Sequence, residues 1–300
     1  MRVTNSYMYD SFISDLQNNM QQLDKINQQI STGLAVNKPS DAPDKIGSII
    51  SLRDSINNIT QYQSNVGSTN DYLNSTSTAL TSMTNLLSTA QTLAVQGAND
   101  TNSASDRATM ATQVDNQIQE MLSLGNTQVN GQYIFGGYQT TAQPFTATMT
   151  GTSVTGVTYN GDSGLMPEEI NQGDIINKNV PGSSLIAAGT DVYNALINFR
   201  NDLNNNDTAA ITNDAGTLQN AYNSLTNINT DIGGKLQRTT AVSSTLTNTN
   251  TTLTGIQSSL EDVDMPTAMT NFQLQQNVYQ SALTSISTLM QQTTLADILR

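Results

Sequence analysis

From Tyr9 onward the apolar side chains return on a seven-residue grid: Tyr9, Phe12, Leu16, Leu23, Ile26 and Ile30, with polar Asn19 as the one exception. Two apolar positions per seven predict a coiled-coil helix. After residues 31–45 the spacing resumes at Ile49, Leu52, Ile56 and Ile59, and one line continues through Val66, Leu73, Leu80, Leu87 and Ala94. A heptad held that long predicts a single long, supercoiled helix. Its alternate positions soften to Gln63, Asn70 and Ser77, so the packed stripe is expected to narrow towards the break at Gly97-Ala98-Asn99-Asp100. A second helix, capped near Ser103 to Asp106, carries Met110, Val114, Ile118 and Met121 on one face.

Past VNGQYIFGG the texture turns to Thr, Gly and Val without helical spacing, and residues 138–190 read as a small β-rich insert in which Asn160-Gly161 has the composition of a hairpin turn. Helical periodicity returns at Val192, Leu196, Phe199 and Leu203, then at Ile211, Leu218, Leu225, Ile228 and Ile232. Gly233-Gly234 is expected to interrupt it. A heptad follows at Val242, Leu246, Leu253, Ile256, Leu260 and Val263, and beyond Met265-Pro266 another at Met269, Phe272, Gln276, Tyr279, Leu283, Ile286 and Met290.

The two ends of the sequence therefore mirror each other. The expected fold is mainly α: an elongated antiparallel helical coiled-coil bundle formed by both termini, with a small β-rich inserted domain. Residues 1–44 and 262–300 make a terminal coiled-coil layer, 45–137 and 191–261 a helical body, and 138–190 the insert. If Asn19 faces Gln276, every apolar position finds an apolar partner: Leu16 meets Tyr279, Leu23 meets Phe272, Phe12 meets Leu283, Tyr9 meets Ile286, and Ile26 meets Met269. One buried amide layer of this kind fixes register at some cost in stability. Each terminal helix is apolar on a narrow stripe only, so an isolated pair is marginal in water and gains from neighbouring copies. The terminal seams, Tyr9 to Ile30 and Met269 to Met290, are thus the candidate assembly interface.

Between the first two helices lies STGLAVNKPSDAPDK, longer and more restricted than a turn needs. The antiparallel register puts its start beside Met265-Pro266, so both strands of the mirrored pair break at one level. Gly33, Asn37, Pro39, Ser40, Asp41 and Pro43 are read as a hinge loop whose prolines limit the states to be frozen on assembly.

Composition narrows the chemistry. Of 300 residues only 36% are hydrophobic and 5% aromatic, with no tryptophan, so burial must rest on aliphatic side chains. A net charge of -13 with no basic run argues against nucleic acid and anionic membrane surfaces as partners. With neither cysteine nor histidine, zinc sites built on them, cysteine nucleophiles and Ser/His/Asp triads are excluded. Glu261, Asp262 and Asp264 read as solvated helix-end acids, and DTNSASD and NGDSG lack the glycine and glutamate of a calcium loop. No cofactor, metal or catalytic residue is expected. The opening MRVTNSYMYDSFISDLQNNM has no basic region followed by an apolar run, and no segment reaches the roughly 20 apolar residues of a spanning helix.

The opening stretch continued through QQISTGLAVNKPSDAPDKIGSIISLRDSI, with QGANDTNSASDRATMATQVDNQIQEMLSLGNT after it, resembles the flagellin superfamily of bacteria. MRVTN, VNGQYIFGGYQTTAQPF and VTYNGDSG are more similar to its hook-filament junction members. Departures are Asp41-Ala42, where the family usually has a double Asp, and the ending TTLADILR. The resemblance implies a non-enzymatic structural protein of the extracellular flagellum, exported without a cleavable signal through the flagellar type III apparatus with a dedicated chaperone. It implies terminal helices that fold on assembly, among copies in a ring or tube layer. The implied neighbours are the first hook-associated protein below and flagellin above. A flagellin filament subunit and a secreted helical adhesin are the competing readings.

Overall fold

The computed structural model describes residues 2–298, and the side chains of residue 7 and residues 9–288. The helices are α1 (Arg2–Thr32), α2 (Ile46–Gly97), α3 (Ala104–Gly125), α4 (Val192–Asn205), α5 (Thr208–Glu261) and α6 (Met265–Ile298). Short strands lie between α3 and α4: β1 (Gln128–Val129), β2 (Gln132–Tyr133), β3 (Phe145–Thr150), β4 (Ser153–Tyr159), β5 (Pro167–Asn171) and β6 (Asp174–Asn177). They pair as three separate antiparallel hairpins. The fold is helix-dominated with a small β region. It divides into two compact units, Met1–Asn58 with Thr249–Arg300, and Ile59–Asn248.

In the second unit the α2 line Val66, Leu73, Leu80, Leu87, Ala94 is buried throughout, as are Leu196, Phe199 and Leu203 of α4 and Ile211, Leu218, Leu225 and Ile232 of α5. The α2 stripe does not narrow before Gly97. Met83, Ala90 and Leu93 are buried too, in one core with Val114, Ile118 and Met121 of α3 and Leu196 and Phe199 of α4. The soft positions find polar partners instead: Ser77 donates to Asn229 (2.8 Å), Gln63 to Thr247 (3.5 Å), and Thr239 to Asn70. Ser103 caps α3 with a reciprocal Asp106 contact, as its position before the helix requires.

Two turn signals resolve differently from their composition. Gly233-Gly234 lies inside an unbroken α5. Two helical glycines cost about 1 kcal/mol each relative to alanine, and the buried residues Ile232 and Leu225 hold the helix through them. Asn160-Gly161 closes no hairpin: it follows the end of β4, with the Asn160 N–H on the Pro144 carbonyl at 2.7 Å. The Asn-Gly hairpin is Asn130-Gly131 between β1 and β2, both residues at positive φ (52° and 78°).

Two buried arginines and a ring cluster tie this unit together. Arg200 of α4 pairs with Asp115 of α3 and donates to the Val154 carbonyl of β4 at 2.9 Å. Phe145 packs between Tyr159 and Tyr193, ring centroids 5.1 and 5.0 Å away, beside Gly125, where any side chain would strike both Phe145 and Tyr193. Tyr72 donates to the Ile134 carbonyl at 2.8 Å, and burial pushes the pKa of its hydroxyl up to about 12, so it stays a donor. Arg107 spends its donors on the Gly97 and Asn99 carbonyls and the Asn206 amide, joining the α2–α3 and α4–α5 turns.

Replacing Arg200 with alanine leaves the half-buried Asp115 with the Ser153 hydroxyl but no cation and takes a donor from the Val154 carbonyl, and should cost about 3 kcal/mol of unit stability by thermal or urea melting. A second outcome concerns Asp214, 8% exposed and with one carboxylate oxygen unpartnered. Burial, then the charges of Asp202 and Asp207, raise its pKa from 3.8 to about 7. The folded state therefore holds a proton that the unfolded polypeptide releases near its ordinary value. Stability from this group is full at low pH, declines once pH passes the ordinary carboxylate range, and is gone above about 7. Asp214→Asn should remove that part of the pH dependence and raise the melting temperature above pH 7.

Candidate assembly surface and chain joint

The first unit is built on α1 and α6, which run antiparallel. Asn19 of α1 accepts a hydrogen bond from Gln275 of α6 at 2.9 Å, and beyond the other end of the pair an isolated antiparallel bridge joins Leu34 to Asp262. On α1 every expected seam residue, Tyr9, Phe12, Leu16, Asn19, Leu23, Ile26 and Ile30, is half-buried. On α6 only half the expected seam is. Phe272, Tyr279 and Ile286 are half-buried, but the alternate line is Ala268, Gln275 and Ala282 rather than Met269, Gln276 and Leu283. The amide layer is accordingly Asn19 with Gln275, which corrects the expected partner Gln276. Met269 is 50% exposed, Leu283 43% and Gln276 exposed. Met290 lies outside the residues whose side chains are described.

The reason is size. An alternation of one large and one small residue lets two helices approach more closely than two large lines do, and the interleaved apolar line is then left outside. With Ile13 and Met20 on α1, and Leu274 and Val278 on α6, the helices carry apolar side chains on faces that water reaches.

The loop after α1 is tied down at one end. Gly33 takes the left-handed conformation (φ 75°) that terminates α1, its N–H on the Gln29 carbonyl at 2.9 Å. The Ala35 N–H then donates to the Glu261 carbonyl (2.6 Å), and the Val263 N–H to the Gly33 carbonyl (2.9 Å). Both breaks meet here, at residues 261–263, a little before the expected Met265-Pro266. Asn37 donates through its amide to the Leu34 carbonyl at 2.8 Å. One Asp41 oxygen accepts the Lys38 and Asn37 N–H groups (2.9 and 3.1 Å) and the other faces the Lys25 ammonium at 3.1 Å. The Lys38 N–H and the Lys25 ammonium hold the Asp41 carboxyl below its ordinary range. Pro39 opens a 3-10 turn over Pro39–Asp41; Pro39, Ser40 and Pro43 are exposed.

Glu261 is the residue that sequence reasoning misplaces. It is not a solvated helix-end acid: it is 3% exposed at the end of α5, 2.8 Å from Arg53 of α2, with Gln257 donating to its other oxygen at 2.8 Å. A carboxylate there opposes the negative end of the helix dipole and needs its cation. No local signal couples residues so far apart in sequence. Asp262 and Asp264 are exposed, and Asp264 accepts from the Thr267 hydroxyl in the first turn of α6 at 2.6 Å, where an acid stabilises a helix start. Among the described residues no group of three or more acids could hold a metal ion, and no helix is long and apolar enough to cross a membrane.

Known family models match both helical ends of the sequence. A model of the bacterial flagellin N-terminal helical region matches residues 3–140, and one of the bacterial flagellin C-terminal helical region matches residues 215–298. The protein belongs to the bacterial flagellin superfamily. Within that superfamily it is 32% identical over 146 residues to flagellar hook-associated protein 3 of Salmonella typhimurium, a match spanning 48% of this sequence and 46% of that protein. Among solved structures, FlgL of Bacillus cereus superposes with a TM-score of 0.60 at 22% identity, covering 69% of this protein and 99% of that one. The flagellar junction protein FlgL of Legionella pneumophila does so with a TM-score of 0.54 at 14% identity, covering 65% and 99%. At those identities the structural likeness speaks for the fold. This member of the flagellin superfamily thus places its helical termini side by side and leaves α6 apolar on its outer faces.

Removing Arg53 strands a buried carboxylate at the joint. Arg53→Ala should therefore speed amide hydrogen exchange at residues 33–36 and 261–263, and Arg53→Ala with Glu261→Gln should restore much of the protection. Equal exchange in wild type and Arg53→Ala would show that the bridge holds without the ion pair.

Proposed function

We propose that this protein is a structural, non-enzymatic part of the bacterial flagellum, an adaptor between hook and filament. The observation that carries the reading is the apolar surface left on α1 and α6 after they pair, centred on Met269 and Leu283 of α6 and Ile13 and Met20 of α1. A helix pair of this kind gains from contacts with further helices. Copies of the protein in a ring or tube layer supply them, with the first hook-associated protein on one side and flagellin on the other. The similarity to hook-associated protein 3 supports the junction role over the filament role.

In this reading the seams Tyr9 to Ile30 and Phe272 to Ile286 bury on pairing, and Met269, Gln276 and Leu283 face neighbouring subunits. The protein is exported through the flagellar type III apparatus with an export chaperone, and the terminal helices order on assembly. Gly33, Asn37 and Asp41 set the joint, while Pro39 and Pro43 restrict the loop before it is ordered.

The test is a cell lacking this protein. Complementation with wild type should restore motility and keep flagellin on the cell, whereas Met269→Asp with Leu283→Asp should leave motility absent and flagellin in the medium. The purified double variant should melt like wild type in its second unit, because neither residue belongs to it. Full motility in the double variant would sink the interface, and long filaments formed by the purified protein alone would favour the filament-subunit reading.

A further inference from the structure

The sequence holds two Asn-Gly dipeptides, and the structure treats them oppositely. Asn-Gly is the dipeptide most open to spontaneous loss of the side-chain amide, since glycine offers its backbone nitrogen with no Cβ in the way. Three local conditions decide whether that reaction proceeds in a folded protein. The asparagine amide must be free of partners, the glycine must have room to turn, and the backbone must be able to leave its native dihedrals.

Asn130-Gly131 meets all three. Both residues are exposed, and no hydrogen bond to the Asn130 side chain occurs among the described residues. A Cβ placed on Gly131 would meet nothing within 4 Å. The hairpin that carries the turn is two residue pairs long, Gln128 with Tyr133 and Val129 with Gln132. Such a hairpin is marginal by itself, so its tip opens locally at small cost while the remainder of the fold stays closed.

Asn160-Gly161 meets none. The Asn160 amide donates to the Thr146 hydroxyl at 3.0 Å and its backbone N–H to the Pro144 carbonyl at 2.7 Å. On Gly161 a Cβ would fall 2.5 Å from the Tyr159 hydroxyl and 2.8 Å from the Gly136 carbonyl, so the segment has no room to swing. Rotation there would break the Tyr159 contacts to the Asp162 carbonyl (2.7 Å) and the Gly182 N–H (3.2 Å).

We infer that Asn130 is a site of spontaneous covalent modification, converted in the folded protein to aspartate and isoaspartate, and that Asn160 is protected. The Gly131 nitrogen attacks the Asn130 Cγ, the new bond between them closes a five-membered succinimide, and the bond from Cγ to the amide Nδ2 breaks. The proton from the Gly131 nitrogen leaves with Nδ2 as ammonia. Solvent water then adds to one of the two ring carbonyls: opening at Cγ gives aspartate, and opening at the backbone carbonyl gives isoaspartate. No oxidation occurs, and water is the sole co-reactant.

The product changes the turn in two ways. It replaces a neutral amide by a carboxylate, and in isoaspartate the backbone runs through Cβ and Cγ and gains a carbon atom. A two-residue turn cannot absorb that insertion without disturbing the adjoining pair, Val129 with Gln132. Immediately beyond stand Ile134 and Phe135, both buried, with Ile134 held by Thr127 and by the Tyr72 hydroxyl. Conversion at Asn130 therefore loosens the mouth of the core from outside.

Incubating the full-length protein at mildly alkaline pH, followed by peptide mapping with mass spectrometry, tests this directly. The expected result is conversion in the peptide holding Asn130 with Asn160 intact, and conversion of both at similar rates in urea. Gly131→Ala should slow the folded-state reaction at Asn130 and leave Asn160 unaffected. Equal conversion at both sites in the folded protein would overturn the inference, as would an unmodified Asn130 under conditions that convert the urea-unfolded protein.

Discussion

A long helix whose apolar stripe is only one or two residues wide can slide against its partner by a heptad and still bury aliphatic surface. Register must then come from something less forgiving than hydrophobicity, and in this protein it comes from polar rungs set into the seams. In the second unit Asn70 meets Thr239, Asn229 lies between Ser77 and Thr81, and Gln63 reaches Thr247. In the first unit Asn19 meets Gln275. Each such bond adds about 1 kcal/mol. Sliding by seven residues would set Asn70 against Ile232 or Leu246 and Asn19 against Ala268 or Ala282, which costs more than the bond contributes. The rungs decide which pairing wins, and burial supplies the stability.

The same logic explains the positions of the few buried cations. Arg107 and Arg200 are nearly fully buried in a protein with only 11 basic residues. Both reach carbonyls or an amide on neighbouring elements as well as, for Arg200, the Asp115 carboxylate. A guanidinium has five donors in a fixed plane, so it can fix three segments at once where a hydroxyl fixes one. Arg200 holds β4 against α3 and α4, and Arg107 binds two interhelical turns together. Glu261 plays the reciprocal part at the joint: its backbone carbonyl receives the Ala35 N–H while its carboxylate engages Arg53 and Gln257.

Sequence periodicity locates most of this architecture because large aliphatic residues in a heptad admit few alternatives. The line Leu73, Leu80, Leu87 and the seven seam positions of α1 are legible for that reason, as is the break shared by residues 33–36 and 261–263. Helix α6 is half legible. Phe272, Tyr279 and Ile286 belong to both possible stripes, and hydropathy prefers Met269 and Leu283 to Ala268 and Ala282 as their companions. Packing prefers the alanines, because closeness of approach depends on size and no hydropathy scale encodes it. The two Asn-Gly pairs mark another limit. Their composition is identical, and only the strand pairing around Asn130 and the tyrosine beside Gly161 tell turn from linker. Arg53 with Glu261 has no sequence signal at all, since neither residue type nor spacing connects α2 to the end of α5.

The choice of alanine at the α6 seam bears on function as well as on packing. Had α6 buried Met269 and Leu283 against α1, its outer surface would be richer in Ala, Gln and Thr, and the pair would be closer to complete in water. By burying Ala268 and Ala282 the helix keeps Met269 and Leu283 on one flank of the seam and Leu274 and Val278 outside it as well. A helix apolar beyond its seam cannot be satisfied by a single partner; it fits a layer in which each helix has neighbours on more than one side. The small residues at the α1–α6 seam are thus what leave the larger ones exposed. On that account the assembly reading rests on a property of α6 that a self-sufficient antiparallel hairpin would have no physical reason to keep.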